Sequence, residues 1–219
     1  METRVLVTGF EPFGGDTINP ALEAVNKLEG RTLHTDSGTI KLFTHKIPVV
    51  FGEAALVLDE SIADAKPEIV ICVGQAGGRY HITPERVAIN VDDSPIPDNA
   101  GNAPIDAPII DGGPAAYFTT LPIKRMVKAI QEAGIPASVS NTAGTYVCNH
   151  LFYHLMHLLH TKYQNIRGGF IHIPYLPEQA VNRLTPTMSL DAIVNALTIA
   201  IITASKEETD ELIAGGQQC

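Results

Sequence analysis

Two hydrophobic rhythms alternate along the chain: short apolar runs, and longer stretches whose apolar positions recur every three or four residues. Residues 5–8 belong to the first kind and predict a strand, followed by the loop Gly-Phe-Glu-Pro-Phe-Gly-Gly over 9–15. Asn19 and Pro20 then supply an N-cap and a first-turn proline for a helix to about residue 28. Residues 39–50 hold strand formers, and 51–65 show helical periodicity closed by Pro67. The run 68–73, Glu-Ile-Val-Ile-Cys-Val, is apolar without alternation, as in a strand covered on both faces. A glycine-rich turn, 74–79, separates it from a strand-like run over 86–91. Residues 92–116 are rich in Asp, Pro and Gly; so long a connection is functional or disordered. Further on, the pattern predicts a helix over 121–133 and a strand over 135–140. A second helix lies within 141–160, then a strand over 169–175, and one or two closing helices over 189–214. No internal repeat or low-complexity tract interrupts this order. Alternating strands and helices predict one domain over 1–219, an α/β sandwich with a largely parallel, mixed sheet.

Composition narrows the function classes. With 45% hydrophobic residues over 219 positions the chain can bury one sizeable core. A net charge of −9 disfavours nucleic acid and anionic membranes as partners. The apolar stretch 192–204 is too short to span a bilayer. The first ten residues, with Glu2 and a short alternating run, read as a first strand and not as a signal peptide. Cysteines at 72, 148 and 219 are odd in number and form no spaced framework, so a reducing cytoplasm is expected.

Candidate chemistry concentrates in 141–160, Asn-Thr-Ala-Gly-Thr-Tyr-Val-Cys-Asn-His-Leu-Phe-Tyr-His-Leu-Met-His-Leu-Leu-His. On a helix starting near Cys148, at about 100° per residue, His150, His154, His157 and His160 share an arc of about 120°. Cys148 falls on the other side, among Leu151, Phe152, Leu155, Leu158 and Leu159. That separation argues against a Cys–His metal site in this helix, and no Glu follows His150 as in a zinc protease. The histidines are expected to be bystanders, a stripe facing solvent or another subunit. Cys148 keeps two readings: a small buried apolar residue, or a thiolate favoured by the positive end of a helix, beside N–H groups that would hold an oxyanion. Cys72 reads as core, and Cys219 as a frayed chain end. A nucleophilic cysteine needs a base, and His172 lies in an apolar strand near its C-terminal end, where open α/β sheets build their sites. Glu85 and Arg86 are neighbours in a strand-like run and point to opposite faces, so one of them at most faces such a site.

Taken together, these blocks resemble a known family. Gly-Gln-Ala-Gly-Gly-Arg at 74–79 with Glu-Arg-Val-Ala-Ile-Asn at 85–90, and Asn-Thr-Ala-Gly-Thr-Tyr-Val-Cys-Asn at 141–149, are similar to the two signatures of the pyroglutamyl peptidase I (pyrrolidone-carboxylate peptidase) family. Thr-Gly-Phe-Glu-Pro-Phe-Gly-Gly at 8–15 and His-Ile-Pro at 172–174 resemble it as well. The resemblance implies a cytosolic cysteine peptidase that removes N-terminal pyroglutamate from peptides, with no cofactor or metal. It implies a one-domain α/β/α sandwich, often a homotetramer. It makes Cys148 the nucleophile, His172 the base and then the acid, and Glu85 the group that orients the histidine. Phe10 and Phe13 would wall the substrate pocket, with Tyr146, Val147 and Ile96 near them and Gln75 as a polar contact. Pyroglutamate is a neutral lactam, which calls for an apolar slot with one donor and one acceptor. In one respect the chain departs from the pattern: many relatives carry Arg before Ile-Pro-Asp-Asn, where this chain has Ser94 and Pro95. Oxyanion stabilisation then falls to backbone donors or another residue, or the enzyme is slower. Two rivals remain: a phosphorylase-like α/β protein using the glycine loops, though neither loop has a Walker or dinucleotide pattern, and a silent protein that only binds pyroglutamyl peptides.

Overall fold

A computed structural model describes residues 2–216. Its elements in chain order are β1 (Glu2–Phe10), α1 (Pro20–Leu28), β2 (Thr32–Thr35), β3 (Gly38–Ile47), α2 (Glu53–Ala65), β4 (Ile69–Gln75), β5 (Thr83–Pro84), β6 (Val87–Ile89), β7 (Ala116–Phe118), α3 (Ile123–Glu132), α4 (Val147–Thr161), β8 (Arg167–Ile173) and α5 (Leu190–Lys206). The main sheet has the order β2-β3-β1-β4-β8-β5. Its inner strands β3, β1, β4 and β8 are parallel, while β2 and β5 pair antiparallel at the two edges. Side-chain alternation sorts the core into two layers. Val5, Val7, Ile69, Ile71, Ile171 and Ile173 pack with α1, α3 and α5. Leu6, Phe10, Val70, Cys72 and Phe170 pack with α2 and α4 on the other face. The result is an α/β/α sandwich with a mixed sheet. Asn19 caps α1 by accepting from Ala21 N at 3.0 Å, with Pro20 in the first turn. Within α4, Leu151, Leu155 and Leu159 are buried, and each such burial contributes about 1.5–3 kcal/mol. Among the described residues, no helix is long and apolar enough to cross a membrane.

Four expectations change. Residues 135–140 form no continuous strand; they touch the sheet through isolated bridges, Ile82 to Ala137 and Glu85 to Ser140. Ser138 N and Ser140 N donate to Ile82 O and Pro84 O at 3.0 Å, but Pro84 has no N–H to return to Ser138 O, so the ladder is broken there. The run 86–91 shortens to β6 and leaves the main sheet for a separate ribbon with β7. The closing segment is one helix, α5, and residues 207–216 beyond it are not helical: Asp210 instead accepts from Lys124 N and Arg125 N at 3.1 Å, capping α3, whose own N-cap is Pro122. The long 92–116 connection is ordered. Asp98 is buried and accepts from Phe51 N, Ala100 N and Asn102 N at 2.8–2.9 Å, and Asn90 Oδ1 accepts from Ile110 N at 2.9 Å. Cys219 lies outside the described residues.

Candidate active site

The carboxyl ends of the parallel strands meet the start of α4. β4 and β8 are in register with Gly74 opposite His172, so both present the same sheet face. A Cβ on Gly74 would lie 2.7 Å from Phe170 Cζ and 3.0 Å from Cys148 Sγ. Glycine is therefore what allows α4 to bring its cysteine down onto the strand. Adjacent strands are about 4.8 Å apart, so His172 stands beside the glycine that Cys148 Sγ covers, and no hydrogen bond joins the two side chains among the described residues. The hydrogen bond of His172 is to Glu85: Nδ1 lies 2.7 Å from Glu85 Oε1. A carboxylate only accepts, so Nδ1 carries a proton, and in the neutral imidazole it is Nε2 that keeps the lone pair.

Glu85 is fully buried, and its backbone N–H is fixed on Phe170 O at 2.9 Å. Arg79 Nη1 donates to the same Oε1 and to Thr83 Oγ1, both at 2.6 Å, and Nη2 donates to Thr142 O at 3.0 Å. Burial works to raise the Glu85 carboxyl, but the His172 hydrogen bond and charge, then Ser140 and Arg79, bring it below the ordinary 4.5. Oε2 makes no hydrogen bond of its own. The Ser140 hydroxyl favours its charge from nearby yet is directed to Thr142 O at 3.1 Å, and the direct bond to Oε1 is the firmer restraint. Arg86 faces away, bonding Asn141 Oδ1 at 2.8 Å and Gly215 O at 2.6 Å.

Cys148 is the second residue of α4, whose N-cap, Tyr146, provides no side-chain acceptor. The amides of that first turn are therefore not consumed by a cap. Of the two readings of Cys148, a resting thiolate is the disfavoured one: the residue is half-buried, and burial of its sulfur first, then the Glu85 charge, push the thiol up to about 12, with Arg79 acting against them. Cys72 is fully buried and likewise raised to about 12 by burial.

Beside Cys148 lies a narrow, nearly closed, mainly apolar slot with a cavity of about 10 Å³, lined by Phe10, Phe13, Asn19, Val49, Gln75, Tyr146, Val147 and Cys148. A wider cleft of about 430 Å³ along α3 and α5 is lined by no cysteine. Phe13 packs against Tyr146 with ring centres 6.0 Å apart, and Phe51 meets Tyr146 edge-on at 5.6 Å. Glu11 supports the slot from behind, accepting from Val49 N at 3.2 Å and from Asn99 Nδ2 at 3.0 Å. Ile96 does not line the slot and is 43% exposed. The Ser94 hydroxyl closes a turn on its carbonyl, and Tyr146 reaches past it to donate to Pro97 O at 3.1 Å. Asn19 and Val49 were not anticipated; nor was Arg79, although it lies in the glycine-rich 74–79 block.

The histidine stripe is also corrected. His150 is buried: its Nε2 accepts from Gly52 N at 3.0 Å and its Nδ1 lies 2.8 Å from Asp92 Oδ2. The preceding residue, Asn149, is fully buried and bonds Ile89 N, Ile89 O and Val91 O at 2.9–3.0 Å. His154 stacks on His150 with ring centres 4.6 Å apart, and His157 Nδ1 bonds Tyr117 Oη at 3.0 Å. His160 is exposed. The long connection and the β6–β7 ribbon cover a face that a helical wheel leaves to solvent. Among the described residues, no three His, Cys, Asp or Glu side chains gather as a metal site.

Known proteins match the chain over nearly its whole length. The pyroglutamyl peptidase family model matches residues 3–207. The pyrrolidone-carboxylate peptidase of Bacillus licheniformis is 53% identical over 216 residues, covering 99% of each chain. That of Yersinia pestis is 55% identical over 214 residues, covering 97% of this chain and 98% of the relative. The crystal structure of pyroglutamyl peptidase I from Bacillus amyloliquefaciens superposes with a TM-score of 0.94 at 53% identity, over 98% of this chain and 100% of that one. A mutant pyrrolidone carboxyl peptidase from Pyrococcus furiosus superposes with a TM-score of 0.88 at 43% identity, over 93% and 98%.

Proposed function

The chain belongs to the pyroglutamyl peptidase family, and we propose that it carries out pyroglutamyl peptidase I hydrolysis with Cys148 as nucleophile, His172 as base and acid, and Glu85 as the group that orients His172. The observation that carries the assignment is the register of β4 and β8, which sets the Glu85-bonded His172 beside glycine and the glycine beneath Cys148 Sγ. In the first step Sγ attacks the carbonyl carbon of the pyroglutamyl residue while His172 Nε2 takes the thiol proton. The C–N bond breaks, the same proton passes to the leaving amine, and the shortened peptide departs from a pyroglutamyl thioester. Water, deprotonated by His172, then attacks the thioester; pyroglutamate leaves and the thiol is restored. Since Pro95 offers no donor, the developing oxyanion is assigned to the uncapped amides at the start of α4.

The slot suits the lactam: Phe10, Phe13, Val49, Tyr146 and Val147 supply apolar walls for a flat neutral ring, and Gln75 supplies a polar contact. The substrates are peptides with a blocked, pyroglutamyl N-terminus. We further read the chain as one domain over 1–219, cytoplasmic and homo-oligomeric, a tetramer by family resemblance; the unpaired Cys72 and Cys148 support a reducing compartment.

A pyroglutamyl anilide tests the assignment. Cys148→Ser should abolish release of the anilide, whereas Cys72→Ser retains most of it and chelators leave it unchanged. Activity that survives loss of Cys148 would remove it as nucleophile.

A further inference from the structure

Gln75 ends β4 and brings an amide to the wall of the slot. That amide can be turned two ways, one offering an oxygen to a bound ring and the other an NH₂. The ring carbonyl of pyroglutamate accepts only from the second. Gln179, at the end of a 3-10 turn over Pro177–Gln179, decides between them. Its Oε1 accepts the backbone N–H of Leu176 at 3.0 Å, and a backbone N–H can only donate. Its Nε2 is thereby turned to the opposite side, where it donates to Asp16 Oδ2 at 3.1 Å and to Gln75 Oε1 at 2.9 Å. Asp16, which only accepts, agrees with this orientation and is itself held by Arg183 Nη2 at 2.7 Å. Gln75 must therefore give its oxygen to Gln179, leaving its Nε2 with no hydrogen bond to the described residues.

We propose that Gln179 is a positioning residue for substrate selection: anchored by the Leu176 N–H and Asp16, it locks Gln75 as a donor, so that the slot prefers a ring bearing a carbonyl over a plain proline ring. This rests on the reading of the slot as the lactam pocket. The chain of donors and acceptors starts from a backbone N–H, so the amide assignments of Gln179 and Gln75 are not free choices.

The test is protection of Cys148 from iodoacetamide by 2-pyrrolidinone, the bare lactam, read beside kcat and KM on a pyroglutamyl anilide. Gln179→Glu keeps the bond to Leu176 but turns an acceptor toward Asp16 and Gln75. Gln75 then flips to donate, and its oxygen faces the lactam oxygen. Protection should weaken about tenfold or more, with KM raised more than kcat is lowered, while unprotected alkylation and Tm stay near the parent values. Gln179→Met, which neither donates nor strongly accepts, should lose several-fold and serves alone if the Glu variant does not fold. Unchanged protection in a folded Gln179 variant overturns the positioning role and leaves the pocket reading standing. A parent enzyme that 2-pyrrolidinone does not protect overturns the pocket reading, and this inference with it.

Discussion

Burial, then the Glu85 charge, push the Cys148 thiol up to about 12, which favours a resting thiol whose proton leaves as the bond to substrate forms. The acceptor we propose is His172, and the tautomer that can accept is the one favoured by the 2.7 Å bond to Glu85. Glu85→Gln retains the size and removes the charge, and its NH₂ can face Nδ1 and impose the wrong tautomer. In a serine triad the equivalent change costs about 10⁴ in turnover. Sulfur is the stronger nucleophile, so we expect a fall in kcat of about 10²-fold with KM nearly unchanged. Steady-state kinetics on the anilide measure it, and near-parental turnover would reduce the site to a Cys148–His172 dyad. The proximity of Glu85 to His172 was expected from the family's blocks, and the structure joins the two by a direct bond. Arg79 was not expected, because nothing in a glycine-rich turn announces that its guanidinium will share Glu85 Oε1 with the histidine. Ile96, placed near the pocket by family resemblance, lies outside the slot's lining, where the turn closed by Ser94 leaves it exposed.

Elements were easiest to read where a local cause fixes them. The Asn-Pro start of α1 and the unbroken apolar run of β4 are such cases. Segments whose fate depends on distant partners were not readable: the pairing of 135–140 is interrupted by Pro84, which has no N–H to offer it, and the segment after α5 is drawn off to cap α3 through Asp210. His150 faces away from the sheet on a wheel, yet Asp92 and Gly52 meet it there. The junction of β4 with α4 joins fold and chemistry most tightly. Gly74→Ala would force a methyl to 2.7 Å from Phe170 and 3.0 Å from Sγ. Overpacking of that kind costs about 1–3 kcal/mol, and an ångström of misplacement can cost about 10² in rate. A lowered Tm together with a fall in kcat of about that size is expected; a parental kcat would mean that α4 does not depend on the glycine for its approach.

For the whole molecule, acid should act in two stages. His154 is lowered to about 4 by burial, then by the neighbouring His150 and His157. The unfolded chain takes up that proton at about 6.5, so its contribution is complete above that value and is lost as pH falls toward 4. Glu85 and Asp98 titrate next. For both, burial acts upward but hydrogen bonds win: His172 chiefly for Glu85, Asn102 and the Phe51 amide for Asp98, leaving each below its ordinary value of 4.5 or 3.8. Their stabilisation is present above those values and is lost as the pH drops through the lower folded ones. Urea midpoints measured from pH 7 to 3 should decline throughout, and His154→Leu should flatten the upper part. A profile flat to pH 4 in the parent would refute the His154 burial argument. The central claim, acyl transfer to one sulfur, has a more direct readout: intact-mass and peptide-mapping spectrometry of enzyme quenched in acid during turnover of a pyroglutamyl substrate. The account predicts a mass gain of one pyroglutamyl acyl group, mapped to Cys148 and absent in Cys148→Ser. The same acyl group on another residue, or on Cys148→Ser itself, would contradict it.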